Sequence, residues 1–170
     1  MDLAATIRDI PDFPKQGILF RDITTLLSDK DAHKQAVDGF VNLLKNKQID
    51  YIVAAESRGF LFAGTLSYLL NCGLVPVRKP GKLPYKTYKA GYSLEYGKDS
   101  LEIHQDAFKA GSKVLILDDL LATGGTVSAM VDLVKQLKGE IMGVAFLIEL
   151  TDLKGRDKLK DYPVYSLIKY

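Results

Sequence analysis

The stretch VLILDDLLATGGT, residues 114–126, limits the folds open to this chain more than any other. Its first four residues, from Val114 to Leu117, are all apolar. Such a run suits a strand buried on both faces, as in a parallel sheet. Two acids, Asp118 and Asp119, end the run. Neighbouring side chains on a strand point to opposite faces, so these carboxylates are expected to share a ligand only where strand gives way to loop. Ala122, Thr123, Gly124, Gly125 and Thr126 then offer small side chains, two hydroxyls and accessible backbone N–H groups. Val127, Met130, Val131 and Val134 follow at helical spacing, which puts a helix start near Thr126. A glycine-rich loop entering a helix N-terminus attracts anions, because unpaired N–H groups and the positive dipole end face one point. Acids for hydroxyls beside a nest for phosphate suggest a sugar phosphate. The simpler alternative is a strand, a polar turn and a helix with no ligand. No Gly-Lys-Ser/Thr follows the glycines and no Gly-x-Gly-x-x-Gly is present, so the stretch is neither a Walker loop nor a dinucleotide fingerprint.

The 170 residues are expected to form one domain with a sizeable core. With 23 basic and 21 acidic residues the net charge is only +2, and no nucleic-acid or membrane partner is called for. A single cysteine, Cys72, excludes an internal disulfide framework and suits a reducing compartment. It reads as packing at a helix end, since no activating partner lies near it in sequence. No apolar run is long enough to span a bilayer and no signal-peptide core is seen, so a cytoplasmic location is expected.

Along the chain, Leu3, Ile7 and Ile10 share a helical face before Pro11, Pro14 and Gly17 break it. Residues 18–24, ILFRDIT, form an apolar island that reads as a short strand over the core. A helix is predicted from Ser28 or Asp29 to about Lys47, with N-cap candidates at its start. A buried strand follows over residues 50–56, and its carboxyl end carries the polar turn 56–59, ESRG. The next helix covers 60–70 and stops at Gly73, which fits a left-handed cap. A third strand spans 74–78, where Pro76 argues for a sheet edge. Residues 78–89 then mix Arg78, Lys79, Lys82, Lys86 and Lys89 with prolines and tyrosines. They lead into alternating runs at 92–96 and 100–104, separated by Gly97, Lys98 and Asp99, which signals a hairpin. A long basic loop with a hairpin inside a compact domain is a candidate lid. Gly139 ends the helix after the glycine-rich loop. Strands are predicted over 141–148 and 163–168, and the charged segment 151–162 reads as a short surface helix or loop. The alternation implies an α/β fold with a mainly parallel twisted sheet flanked by helices. Ligands on such sheets bind beyond the carboxyl ends of the strands, where 56–59, Arg78 with Lys79, and 118–126 all fall.

The central stretch resembles the phosphoribosyl-pyrophosphate motif of the type I phosphoribosyltransferases. Further matching stretches are DFP at 12–14, GILFRDIT at 17–24, ESRGF at 56–60, Arg78-Lys79 and YSLEYG at 92–97; the hairpin and the N-terminal FRDI narrow the resemblance to the adenine-using branch of that family. The resemblance implies transfer of phosphoribose from phosphoribosyl pyrophosphate to adenine, with AMP and pyrophosphate as products and Mg2+ held mainly by substrate. It implies a homodimer, an N-terminal hood over 1–27 and a flexible lid over 80–104. Residues 122–126 would hold the 5′-phosphate, although Thr123 and Thr126 also suit plain helix capping. Asp118 and Asp119 would accept from the ribose hydroxyls and lend negative charge beneath a cationic ring. Arg58, Arg78, Lys79 and Lys82 would neutralise the leaving pyrophosphate; the alternative for each is a solvated surface charge. Glu95 matches the lid glutamate that takes or shares the purine proton. Glu102 is a competing acid with a stronger reading as an exposed strand residue. Tyr96 would help place the lid. Main-chain groups of Leu19 and Arg21, with apolar contact from Leu19 and Phe20, would read adenine. Use of xanthine or another base stays open, as does a phosphoribosyl-pyrophosphate-sensing regulator that binds nucleic acid.

Overall fold

A computed structural model describes residues 2–94 and 97–170. Five strands pair in parallel in the order β4-β3-β7-β8-β9: β3 is Tyr51–Ala55, β4 Gly73–Val77, β7 Lys113–Leu121, β8 Glu140–Glu149 and β9 Val164–Lys169. The strand β4 lies at one edge, as Pro76 requires, since its missing N–H would break a two-sided ladder. Central β7 has neighbours on both sides, and residues 114–117 are at most 1% exposed. Their alternation divides the core. Val114 and Ile116 face one cluster with Val127, Met130 and Val134 of helix α4 (Gly125–Gln136). Leu115 and Leu117 face another, with Phe40 and Leu44 of α2 (Lys30–Leu44) and Phe62 and Leu66 of α3 (Arg58–Leu69). The sheet therefore carries helices on both faces, the arrangement a fully buried parallel sheet needs.

The N-terminal segment departs from the sequence reading. Leu3 and Ile7 do pack on the core, but only Ala4–Thr6 is helical, as one 3-10 turn. Strand β1 (Arg8–Pro11) then pairs antiparallel with β2 (Leu19–Asp22). Helical spacing within ten residues was outweighed by a partner strand further along the chain. Arg8 seals the pairing: Nε and Nη2 donate to Asp22 Oδ2 at 3.0 and 2.6 Å. Asp22 also accepts from the Thr24 amide, and these contacts hold its carboxyl down at about 2. A short helix α1 (Thr24–Ser28) leads into α2.

Two glycines placed at helix ends have a different origin. After α3 the left-handed residue is Asn71, at φ 52°, not Gly73. After α4 it is Lys138, at φ 59°, not Gly139. A Cβ on Gly73 would lie 2.6 Å from the Tyr51 ring, and one on Gly139 would lie 2.8 Å from the Phe108 ring. Both glycines are required by aromatic neighbours rather than by cap geometry. Cys72 is half-buried beside the second cluster, and burial pushes its thiol up, in line with a packing role.

The hairpin is longer than predicted. β5 (Thr87–Leu94) and β6 (Gly97–His104) pair from Thr87↔His104 to Leu94↔Gly97, so Gly97, Lys98 and Asp99 belong to the second strand. Ala90, Leu101 and Ile103 alternate into the first core cluster, which makes the base of the hairpin part of the packed interior. At the opposite side of the molecule, Asp29 caps α2 by accepting from the Asp31 and Ala32 amides. Replacing Asp29 with Ala should lower stability by removing the side-chain cap from two amides of the first turn of α2. Urea titration should show a lower midpoint at an unchanged slope; an unchanged midpoint would remove the cap from the stabilising contacts.

Candidate active site

The strand β7 is longer than its neighbour β3. Their pairing ends at Ala54↔Leu117, while β7 continues against β8 to Leu121↔Glu149. The acids thus lie within a strand, not at its end, contrary to the sequence expectation. They still converge because β3 has stopped beside them, which frees the space above its end. A cavity of about 270 Å³ opens there, lined by Arg58, Asp118, Asp119 and the loop 120–127. The carboxylate pair and the amide-rich loop therefore face one volume.

Each wall has a local cause. Gly124 sits at φ +82°, a left-handed conformation that suits glycine, and it caps α4. The first N–H groups of α4 have no carbonyl in the helix to bond, so residues 124–127 present donors and the positive dipole end to the cavity. At the start of α3, a Cβ on Gly59 would lie 3.1 Å from Asp118 Oδ1. A larger residue would displace that carboxylate. The Asp119 amide donates to Asp118 Oδ1 at 2.9 Å. Arg58 Nη2 stands 2.7 Å from Asp119 Oδ2 in an ion pair that lacks hydrogen-bond alignment. Burial pushes the Asp118 carboxyl well up, and the adjacent charge of Asp119 pushes it further. Burial also raises Asp119, against the opposing pull of Arg58.

Arg58 reaches beyond the acids. Its Nη1 donates to the Arg21 carbonyl at 3.3 Å, and its guanidinium lies 4.9 Å from the Phe20 ring centroid. The β1–β2 hairpin is thereby tied to the rim. Leu19 and Phe20 share that rim without lining the cavity, and Phe13 stacks edge-on against Phe20 at 5.1 Å. The Arg21 side chain turns away, to Asp9 at 2.5 Å and over the Tyr170 ring at 3.6 Å.

The other cations form a separate group. Arg78, Lys79 and Lys82 do not line the cavity. Glu56 clamps the turn that carries the first two: Oε1 accepts from the Lys79 amide at 2.6 Å, and Oε2 lies 3.4 Å from Arg78 Nη2. That amide, chiefly, holds the Glu56 carboxyl below its ordinary range. The Lys79 ammonium is paired with Asp99 and donates to Tyr92 Oη at 2.9 Å, so it serves the hairpin. Lys82 is exposed. Glu102 pairs through its backbone with Arg78 and accepts from the Gly81 amide at 3.2 Å, a structural role. Glu95 and Tyr96 lie outside the described residues.

Three participants were not singled out in the sequence. Glu56 was passed over as part of a polar turn, though a carboxylate ending a buried strand is itself a signal. Tyr92 packs its ring against Gly125, where a Cβ would lie 3.3 Å from Cδ2. Gly155 abuts the loop from behind, and nothing local in sequence foretells that contact.

This architecture matches known proteins closely. The phosphoribosyl transferase domain family matches residues 24–170. An adenine phosphoribosyltransferase of Brachyspira hyodysenteriae is 57% identical over the full length of both chains. The crystal structure of adenine phosphoribosyltransferase from Thermoanaerobacter pseudethanolicus superposes with a TM-score of 0.97 at 51% identity, covering 99% of this chain and 98% of that one. The Saccharomyces cerevisiae enzyme, solved with adenine and an imino-altritol bisphosphate, superposes with a TM-score of 0.91 at 43% identity, covering 97% and 96%.

The buried acids carry a cost in stability that titration should reveal. An acid raised in the folded state favours folding below its ordinary value, here 3.8, and loses that contribution as pH rises through the raised value. Above the ordinary carboxylate range Asp118 therefore opposes folding. Asp118→Asn should raise the thermal midpoint at pH 7 by a few degrees, with the gain vanishing below the ordinary carboxylate range. A lower midpoint at pH 7 would contradict the assigned electrostatics.

Proposed function

The chain belongs to the phosphoribosyltransferase family, and from that footing we infer that it transfers phosphoribose from phosphoribosyl pyrophosphate to adenine, releasing AMP and pyrophosphate. One observation carries the reading: two carboxylates, a guanidinium and a row of amide donors line a single cavity at the carboxyl end of a parallel sheet. The loop 122–126 binds the 5′-phosphate through its amides and the Thr123 and Thr126 hydroxyls. Asp118 and Asp119 accept from the ribose hydroxyls. Their negative charge stabilises the cationic ring as the C1–O bond to pyrophosphate breaks and adenine N9 bonds to C1. Arg58 moves from Asp119 towards the pyrophosphate, with Arg78 guarding the same side from its Glu56 clamp.

Main-chain groups of Leu19 and Arg21 read the base, with apolar contact from Leu19 and Phe20; the tie from Arg58 to the Arg21 carbonyl supports this placement. A carbonyl there accepts from an amino group at the purine six-position and repels a keto oxygen. Glu95 on the hairpin takes or shares the N9 proton, and the segment 80–104 acts as the lid. The segment 1–27 acts as the hood.

Among the described residues no group of three or more side chains is placed to hold a metal ion. Mg2+ carried mainly on substrate oxygens would neutralise the leaving pyrophosphate. A homodimer is supported by the exposed apolar face of α3 and the neighbouring edge strand, with Leu61, Tyr68, Leu69 and Leu74 between 41% and 85% exposed. Among the described residues no helix is long and apolar enough to cross a membrane. The lone cysteine suits a reducing compartment, and the enzyme is assigned to the cytoplasm.

A panel of bases tests the assignment. AMP should form from adenine in the presence of Mg2+, with little product from hypoxanthine, guanine or xanthine. Product from another base and none from adenine would overturn the reading. Glu95→Ala should lower kcat by about 10²–10⁴-fold with little change in KM for phosphoribosyl pyrophosphate. A comparable loss in both would make Glu95 a binding residue.

A further inference from the structure

We propose that Glu149, Arg156 and Gly155 form a positioning device that sets the geometry of the 5′-phosphate loop from behind. None of the three lines the cavity. Gly155 opens a 3-10 turn, Gly155–Leu159, in the charged segment after β8. This turn lies against the phosphate loop backbone to backbone. A Cβ on Gly124 would stand 2.9 Å from the Gly155 carbonyl oxygen, and one on Gly155 would stand 2.9 Å from Leu121 Cδ1 and overlap the Ala122 carbonyl. Neither surface has room for a methyl group. The loop that presents amides to the cavity thus rests directly on the turn.

What fixes the turn is an ion pair between a buried carboxylate and a half-buried guanidinium. Glu149 ends β8 and is only 5% exposed. Arg156 forks onto it, with Nε donating to Oε1 at 2.8 Å and Nη2 to Oε2 at 2.6 Å. The Ser166 hydroxyl of β9 donates to the same Oε2 at 2.6 Å, and Arg156 Nη1 donates to the Val164 carbonyl at 3.1 Å. Arg156 therefore joins the turn to two strands at once, while Leu159 at the far end of the turn is buried in the core. Its fork holds the Glu149 carboxyl at about 2, so the pair stays charged through the neutral range.

An ion pair with one partner buried and the other half-exposed gains little stability by itself, because desolvation of the carboxylate offsets much of the attraction. A planar, bidentate fork instead fixes direction as well as distance, and lysine cannot reproduce it. Displacing a loop by a fraction of an ångström weakens every amide contact to a phosphate. The inference rests on reading the loop as a 5′-phosphate site.

The test compares ligands in the full-length protein. Arg156→Lys should raise Kd for ribose 5-phosphate, and KM for phosphoribosyl pyrophosphate, about tenfold, with Kd for inorganic pyrophosphate and KM for adenine within about twofold. Gly155→Ala, which pushes the turn off the loop while leaving the fork intact, should give the same split. Asp29→Ala serves as a control that loses stability without that split. Should Arg156→Lys not fold, Gly155→Ala and Ser166→Ala carry the comparison. Unchanged ribose 5-phosphate affinity in folded Arg156→Lys or Gly155→Ala, or an equal weakening of every ligand, would overturn the proposal. AMP formation by the unaltered enzyme tests the underlying reading separately, so these two failures are distinguishable.

Discussion

Two carboxylates held side by side near the end of a buried strand repel each other and lose hydration, and the molecule around them is built to tolerate both penalties. Arg58 lies against Asp119, and the Asp119 amide turns back to Asp118. Gly59 leaves room for Asp118 where any side chain would press on it. The pairing of β3 with β7 ends at Leu117, just before the acids, and the cavity they line opens there. Such an arrangement makes little sense as a stabilising device, because unfolding would relieve it. It makes sense if a ligand rich in hydroxyls, carrying developing positive charge, completes the site.

Rigidity is supplied from three directions. The sheet fixes the acids, since β7 is flanked on both sides and packed above and below. α4 fixes the amides, with the hairpin pressed against its first turn through Tyr92. The turn at Gly155 backs the loop from the far side. Against these, the rim is made of longer and more exposed parts: the β1–β2 hairpin joined through Arg58, and the basic turn clamped by Glu56. A stiff floor with an adjustable rim would suit the proposed reaction, in which only the sugar carbon must move between two partners.

The sequence disclosed those features whose cause is local. Continuous apolar runs announced the parallel strands, and Pro76 announced an edge, because burial and a missing N–H need no knowledge of partners. The stretch 118–126 was legible as the wall of one cavity because its acids, glycines and hydroxyls follow one another directly in the chain. What stayed hidden depended on contacts between distant parts of the chain. Gly73 reads as a helix cap and Gly139 as a helix stop, but rings at Tyr51 and Phe108 dictate them. The first ten residues carried helical spacing but found a strand partner at Leu19–Asp22. Lys79 was grouped with the pyrophosphate cations, whereas its ammonium is engaged by Asp99 and Tyr92. Arg156 sat in a segment dismissed as charged surface, and only the fold shows the carboxylate it meets.

The central claim is that the acid pair and the amide loop serve one pentose phosphate, and a crystal structure with ribose 5-phosphate tests it most directly. The account predicts phosphate oxygens about 2.7–3.2 Å from the loop amides, with the 2′- and 3′-hydroxyls donating to Asp118 and Asp119 in the same molecule of ligand. A phosphate bound away from residues 122–126, or a sugar whose hydroxyls turn from both acids, would contradict it.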